Sequence, residues 1–357
     1  MQLYNKMSAA ERAALIDQAG KERLTISFYE YHQIENIQQF RDDLFRTWDA
    51  LGVLGRIYLA TEGINAQLSL PAENFEAFKT HLDTIDWLHG VRLNVAIEHD
   101  NKSFLKLKVK IRTKILADGM DENTFDVTDK GIHLKAAEFN AAIAQDDAIL
   151  IDMRNHYETE IGHFEGAITP DVDTFRESLD LIEEHLQEHK QDKKLIMYCT
   201  GGIRCEKASA YFKHKGFEQV FQLEGGIINY ARQVEAEGLD NKFIGKNFVF
   251  DHRKAERISE EVIAQCHQCG TPCDTHTDCA NEACHLLFIQ CAACAEQYKK
   301  CCSTACAEIV VLPEEVQKEL RKGKKVHKGE DFTKGRSDVL KYKKNVDNFE
   351  AVLKGKR

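Results

Sequence analysis

The chain has 357 residues, enough for two to three domains at roughly 150 residues each, and its 58 acidic and 48 basic residues give a net charge of −10. A hydrophobic content of 43%, a charged content of 30% and only 4 prolines describe a soluble globular protein and exclude long disordered stretches. No apolar run nears the roughly 18 residues that span a membrane, and Met1 to Gly20 lacks a signal-peptide core, so the expectation is a cytoplasmic protein with no membrane partner.

After a short N-terminal helix, Leu24 to Tyr31 reads as a strand. Glu35 to Leu51 reads as an amphipathic helix, with Ile37, Phe40, Leu44 and Trp48 at helical spacing. Val53 to Ala60 and Ile64 to Leu70 read as strands around a Thr61-Glu62-Gly63 turn, and Pro71 opens a second helix to about Leu82. Val91 to Ile97 and Phe104 to Ile115 close the region as strands, and the order βαββαβ predicts a ferredoxin-like sandwich.

The last of these strands alternates strictly. Lys106, Lys108, Lys110, Arg112 and Lys114 share one face, opposite Leu105, Leu107, Val109, Ile111 and Ile115. One reading is a solvated edge that blocks aggregation. The other is a surface for a phosphate backbone, which would neutralise five like charges.

From about Thr128 the pattern changes. Ala148 to Asp152, Lys194 to Tyr198 and Val220 to Leu223 read as buried strands. Helical patterns over Leu134 to Ala144, Phe175 to His185 and Cys205 to Lys215 accompany them, which predicts a parallel α/β sheet with its site beyond the strand ends.

At one such end stands Cys199-Thr200-Gly201-Gly202-Ile203-Arg204, followed by Cys205. Two glycines between a strand and a helix let backbone N–H groups converge as an anion nest. A cysteine there has a depressed pKa and is a nucleophilic thiolate, and Arg204 adds a fixed positive charge. Cys205 is placed either to resolve an oxidised or persulfidated Cys199 or simply to pack in the helix.

The remaining ten of the 12 cysteines lie between Cys266 and Cys306. A long chain without a secretion signal uses such cysteines for metal or thiol chemistry rather than disulfides. Cys266/Cys269 and Cys291/Cys294 are paired CxxC knuckles that can converge on one tetrahedral Zn²⁺. Cys279 and Cys284, with two of Cys301, Cys302 and Cys306, interleave with them as a second set; the expected ligands are Cys302 and Cys306, with His267, His276 and His285 as substitutes. Four thiolates also suit an iron–sulfur cluster. From Arg321 to Arg357 the chain carries 13 Lys and Arg against 5 Asp and Glu. The net charge, which taken whole argues against a nucleic-acid partner, therefore hides a basic tail.

The Cys199 loop resembles the active loop of rhodanese domains. Leu150 to Arg154 with Gly162 to Ile168, and Leu223 to Ile227, resemble the early and late signatures of the same domain. With the ferredoxin-like region and the cysteine pairs, nearly the whole chain resembles the rhodanese-domain tRNA uridine hydroxylases, which use dioxygen to make 5-hydroxyuridine at the wobble position. The resemblance implies an α/β fold: a central rhodanese-like parallel-sheet domain (128–240), a preceding ferredoxin-like, acylphosphatase-like α+β domain (23–118) and a following Cys-rich zinc-binding-like module (245–312). An N-terminal helix (1–22) and a basic tail (313–357) flank these. It further implies Cys199 as the essential thiol, carrying a persulfide, dioxygen as co-substrate, and a tRNA anticodon loop as partner. Asp152 and Arg154 are expected to support the loop, with Arg204 and Cys205 acting in catalysis. The basic strand and tail are expected to hold tRNA. No flavin, haem or non-haem iron signature identifies the electron donor. A sulfurtransferase or persulfide carrier acting on a small thiol or partner protein uses the same loop and needs neither basic surface.

Overall fold

Alternation of side chains builds the first part of the molecule. In strand β1 (Arg23–Tyr31), Ile26 and Phe28 point into one core, while Ser27, Tyr29 and Tyr31 occupy the opposite face. The computed structural model describes residues 8–120, 125–323, 332–342 and 348–353. These divide into two compact units, one of residues 1–145, 196–240 and 250–253, the other of residues 146–195, 241–249 and 254–357.

In the first unit, helix α1 (Ala9–Ala19) precedes β1, and helix α2 (Ile37–Ala50), strands β2 (Leu54–Ala60) and β3 (Gly63–Pro71) and helix α3 (Phe75–Asp83) follow. Strands β4 (Asn94–Val95) and β5 (Leu107–Ile111) complete a five-stranded sheet in the order β4-β1-β3-β2-β5. Trp48 of α2 and Phe78 of α3 pack 5.2 Å apart and close the core against Phe28. The ferredoxin-like expectation holds for β1 to β4, and β5 is added at an edge, parallel to β2.

Three expected elements are shorter than their patterns. Val91 to Leu93 are withdrawn from the sheet because the Val91 N–H closes a turn onto the Leu88 carbonyl. The basic strand ends at Ile111 because the Ile115 N–H donates to Glu62 Oε1 at 2.8 Å instead of to a strand neighbour. Pro71 ends β3 and caps a single 3-10 turn, Ala72–Asn74, so the regular helix α3 starts only at Phe75.

Next come β6 (Ile132–Leu134), α4 (Ala136–Ile143), β7 (Ala148–Asp152), α5 (His156–Thr159), β8 (Gly162–Phe164), α6 (Phe175–Leu186), β9 (Lys194–Tyr198), α7 (Ile203–His214), β10 (Val220–Leu223) and α8 (Gly226–Glu237). A four-stranded sheet has the order β6-β10-β9-β7, with β6 and β10 parallel. The three strands expected from apolar runs are found at the expected residues. Strand β6 was hidden because its Ile132 is 61% exposed and gives no burial signal.

In the second unit, β8 pairs with β11 (Phe243–Phe248), which pairs with β12 (Ala255–Arg257). Strands β13 (His276–Asp278) and β14 (Leu287–Ile289) form a hairpin among the cysteines, followed by α9 (Ala292–Gln297), α10 (Thr304–Val310) and α11 (Glu314–Leu320). The described parts of the basic tail pack onto this unit. Leu340 and Tyr342 join the core around Cys279 and Cys302, Arg336 forms an ion pair with Asp171, and Phe349 stacks on His185. The remaining tail residues (324–331, 343–347 and 354–357) lie outside the described residues.

Candidate functional site

The loop after β9 is shaped around one sulfur. The Gly202 N–H donates to Cys199 Sγ at 3.2 Å, and Gly202 takes a φ of +103°, which turns the chain into α7. Cys199 is 1% exposed. Burial alone would raise its pKa. The Cys205 thiol, the Arg204 charge and the N–H groups of Cys205 and Gly202 outweigh burial and bring it from 9.0 down to about 6. Arg204 and Cys205 are themselves buried, and Thr200, Gly201 and Ile203 form the rest of the turn.

A second glycine pair holds the loop from behind. The N–H groups of Ile227 and Ile228 donate to the carbonyls of Cys199 and Thr200. A Cβ on Gly226 would lie 2.5 Å from the Cys199 carbonyl oxygen, so no side chain fits there.

The front of the loop is a wall that the chemical motifs did not reveal. Asn94 Nδ2 donates to the Gly201 carbonyl at 3.2 Å, and a Cβ on Gly202 would stand 2.7 Å from the Tyr29 hydroxyl. Tyr29 in turn donates to Glu206 Oε1 at 3.0 Å. Glu206 also takes Lys130 at 3.1 Å and His133 at 2.9 Å. Burial works to raise the Glu206 pKa, but His133 and Lys130 hold it below the usual carboxylate value. One residue on, Lys207 pairs with Glu62 at 2.7 Å and Asp118 at 2.5 Å, all three largely buried. Only β-strand alternation could have found Tyr29 and Tyr31, and it identifies a face without naming its partner.

Asp152 and Arg154 are brought to each other. Both are fully buried, with Arg154 Nη2 2.6 Å from Asp152 Oδ2 and donating to the Gly162 carbonyl at 2.6 Å. Their bond network ties the end of β7 to β8.

The basic strand divides. Lys106, Lys108, Lys110 and Arg112 are partly or fully exposed at or beside the β5 edge, and Arg112 lies over the Tyr58 ring. Lys114 leaves that face, since its ammonium bonds Asp118 at 2.7 Å and the Met120 carbonyl.

The cysteines gather into two sets, Cys266, Cys269, Cys291 and Cys294, and Cys279, Cys284, Cys302 and Cys306, each with sulfurs within 4.8 Å of one another. Each set can hold a metal ion. Contacts of 3.7 Å for Cys269–Cys291, 3.6 Å for Cys284–Cys302 and 3.9 Å for Cys302–Cys306 are far too long for disulfides. They match the edge of about 3.8 Å expected of a tetrahedron with Zn–S near 2.3 Å. No histidine stands in either set. His267 accepts from the Ile289 N–H and meets Glu160 at 2.8 Å, and His285 Nδ1 meets the Cys279 carbonyl, so these rings serve the scaffold. His276 is buried against Phe248.

Among the described residues, no helix is long and apolar enough to cross a membrane. Residues 23–115 match the UPF0176 acylphosphatase-like domain, 135–233 the rhodanese-like domain and 244–307 the rhodanese C-terminal domain. Curated relatives from Enterobacter sp. (strain 638), Cronobacter sakazakii and Salmonella typhimurium, all named tRNA uridine(34) hydroxylase, are each 55% identical over 323 residues. Each match spans 90% of this chain and 92% of the relative. With the fold, the cysteine loop and the paired cysteine sets all in place, this identity over nearly the full length makes the chain a member of the tRNA uridine(34) hydroxylase family.

Proposed function

We propose that the protein is a cytoplasmic oxidoreductase that hydroxylates the wobble uridine of tRNA to 5-hydroxyuridine with dioxygen as co-substrate. The observation that carries this reading is a buried thiol held near pKa 6 by Arg204, Cys205 and the loop N–H groups. It is joined by the tRNA-directed names of relatives that span nearly the whole chain.

Uracil C5 resists oxidation within its conjugated ring. Addition of the Cys199 sulfur at C6, as thiolate or persulfide, makes C5 electron-rich, and Arg204 and the N–H nest offset charge near the sulfur. One oxygen atom then enters C5 and the other leaves as water, which takes two electrons from an external donor. A wobble base in an anticodon loop is already accessible, so little unstacking is needed. Lys106, Lys108, Lys110 and Arg112 would position the phosphate backbone. We assign Zn²⁺ to both cysteine sets, where it would supply folding energy to a small module. We read the domains with the boundaries expected from the sequence. Mass spectrometry of tRNA nucleosides tests the reading: a Cys199→Ser protein that still makes 5-hydroxyuridine would sink it.

A further inference from the structure

We infer that the Tyr31 hydroxyl is a catalytic donor to the substrate, bonding uracil O4 as the sulfur adds at C6; the inference rests on the reaction proposed above. Tyr31 follows Tyr29 on the same face of β1, their rings edge to face at 6.3 Å. Tyr29 is engaged, its hydroxyl donating to Glu206 where only the missing side chain of Gly202 leaves it room. The Tyr31 hydroxyl is equally buried but finds no hydrogen-bond partner among the described residues. Lys207, at 5.7 Å from the ring centroid, meets its face and leaves the hydroxyl unserved.

A buried hydroxyl without a partner is destabilising, and phenylalanine would fill the same space without that cost. A ligand acceptor resolves the conflict. Burial first, then the charges of Glu62, Asp118, Glu206 and Cys199, hold the phenol protonated, so it can only donate well to an acceptor brought in from outside. A protonated phenol bonds a carbonyl oxygen, and the Lys207 ammonium, paired with Glu62 and Asp118 and 5.7 Å from the ring, offsets their charge beside it. Uracil supplies such an oxygen. When the thiolate forms the C6–S bond, the C5=C6 pair shifts toward C4 and the negative charge settles on O4. No proton, oxidant or reductant is needed at this step, and its reversal returns the thiolate and uracil. A donor waiting at O4 binds the adduct more strongly than the ground state.

The test compares full-length wild type and Tyr31→Phe on an anticodon stem–loop RNA carrying [5-³H]uridine at the wobble position, without oxygen. Addition at C6 lets C5 take a solvent proton and release tritium. Tyr31→Phe is expected to lose roughly 10²- to 10³-fold in kcat for release. Its KM should stay within about threefold and its Tm should be unchanged or higher. Release within about threefold of wild type overturns the inference. So does a Tm fall beyond about 5 °C, which would mean that the hydroxyl has a protein partner. Wild type that makes 5-hydroxyuridine in cells yet releases no tritium also overturns it, whereas wild type that makes none in cells overturns the proposed reaction itself.

Discussion

Cys199 shows how a buried thiol becomes a usable nucleophile. Burial opposes ionisation, and four donors or charges within one turn of chain outweigh it. The thiolate is the reactive form, so activity should be lost as pH falls through about 6 and reach a plateau above it. Replacing Arg204 with Met should move that acid limb upward by roughly one pH unit, the equivalent of about 1.4 kcal/mol of weakened interaction. Cys205→Ala should also move it upward while Cys205→Ser, which keeps a donor, moves it less; the pH profile of kcat/KM checks both. These residues were legible because Cys, two glycines and Arg are contiguous. Tyr29, Asn94 and Glu62 were not, because chain separations of 177, 107 and 145 residues hide their bonds to Glu206, Gly201 and Lys207.

At the scale of elements, β5 and the end of its loop do different work from what a single basic stripe suggests. Lys108→Gln with Lys110→Gln should weaken tRNA binding across sequences and reduce the slope of log affinity against log salt by roughly 0.7–0.9 for each phosphate no longer neutralised. Lys114→Gln should act on stability instead, because it removes a bond to fully buried Asp118. Lys207→Met removes the buried ammonium shared by Glu62 and Asp118, leaves Asp118 its bond to Lys114, and should cost about 3 kcal/mol in urea unfolding. Burial would raise the Asp118 pKa, but Lys114 and Lys207 hold it below its usual 3.8. A carboxylate so lowered stabilises the fold above 3.8, and that share is lost as pH falls through the still lower folded value. Strand existence was readable wherever an apolar run was bounded, as at β7, β9 and β10. The end of β5 was not, because a distant Glu62 captures its backbone. The alternation of lysines continues past the point where the ladder stops.

Across the whole molecule, charge and cysteine content acquire places. The expected basic tail is partly structural, since Leu340, Tyr342 and Phe349 pack into the second unit and Arg336 is paired. A count of lysines could not reveal that apolar anchoring. Spacing led to both cysteine sets, and in the fold the sulfurs of Cys302 and Cys306 lie with those of Cys279 and Cys284. Native mass spectrometry should count two zinc ions per chain, and Cys284→Ser should retain one. In the proposed reaction this chain oxidises the wobble uridine with dioxygen through Cys199. Nucleoside mass spectrometry of tRNA from a strain lacking the gene, complemented with wild type or Cys199→Ser and grown with and without oxygen, tests it most directly. 5-Hydroxyuridine is expected only with wild type in oxygen. Equal 5-hydroxyuridine from Cys199→Ser, or from wild type without oxygen, would contradict it.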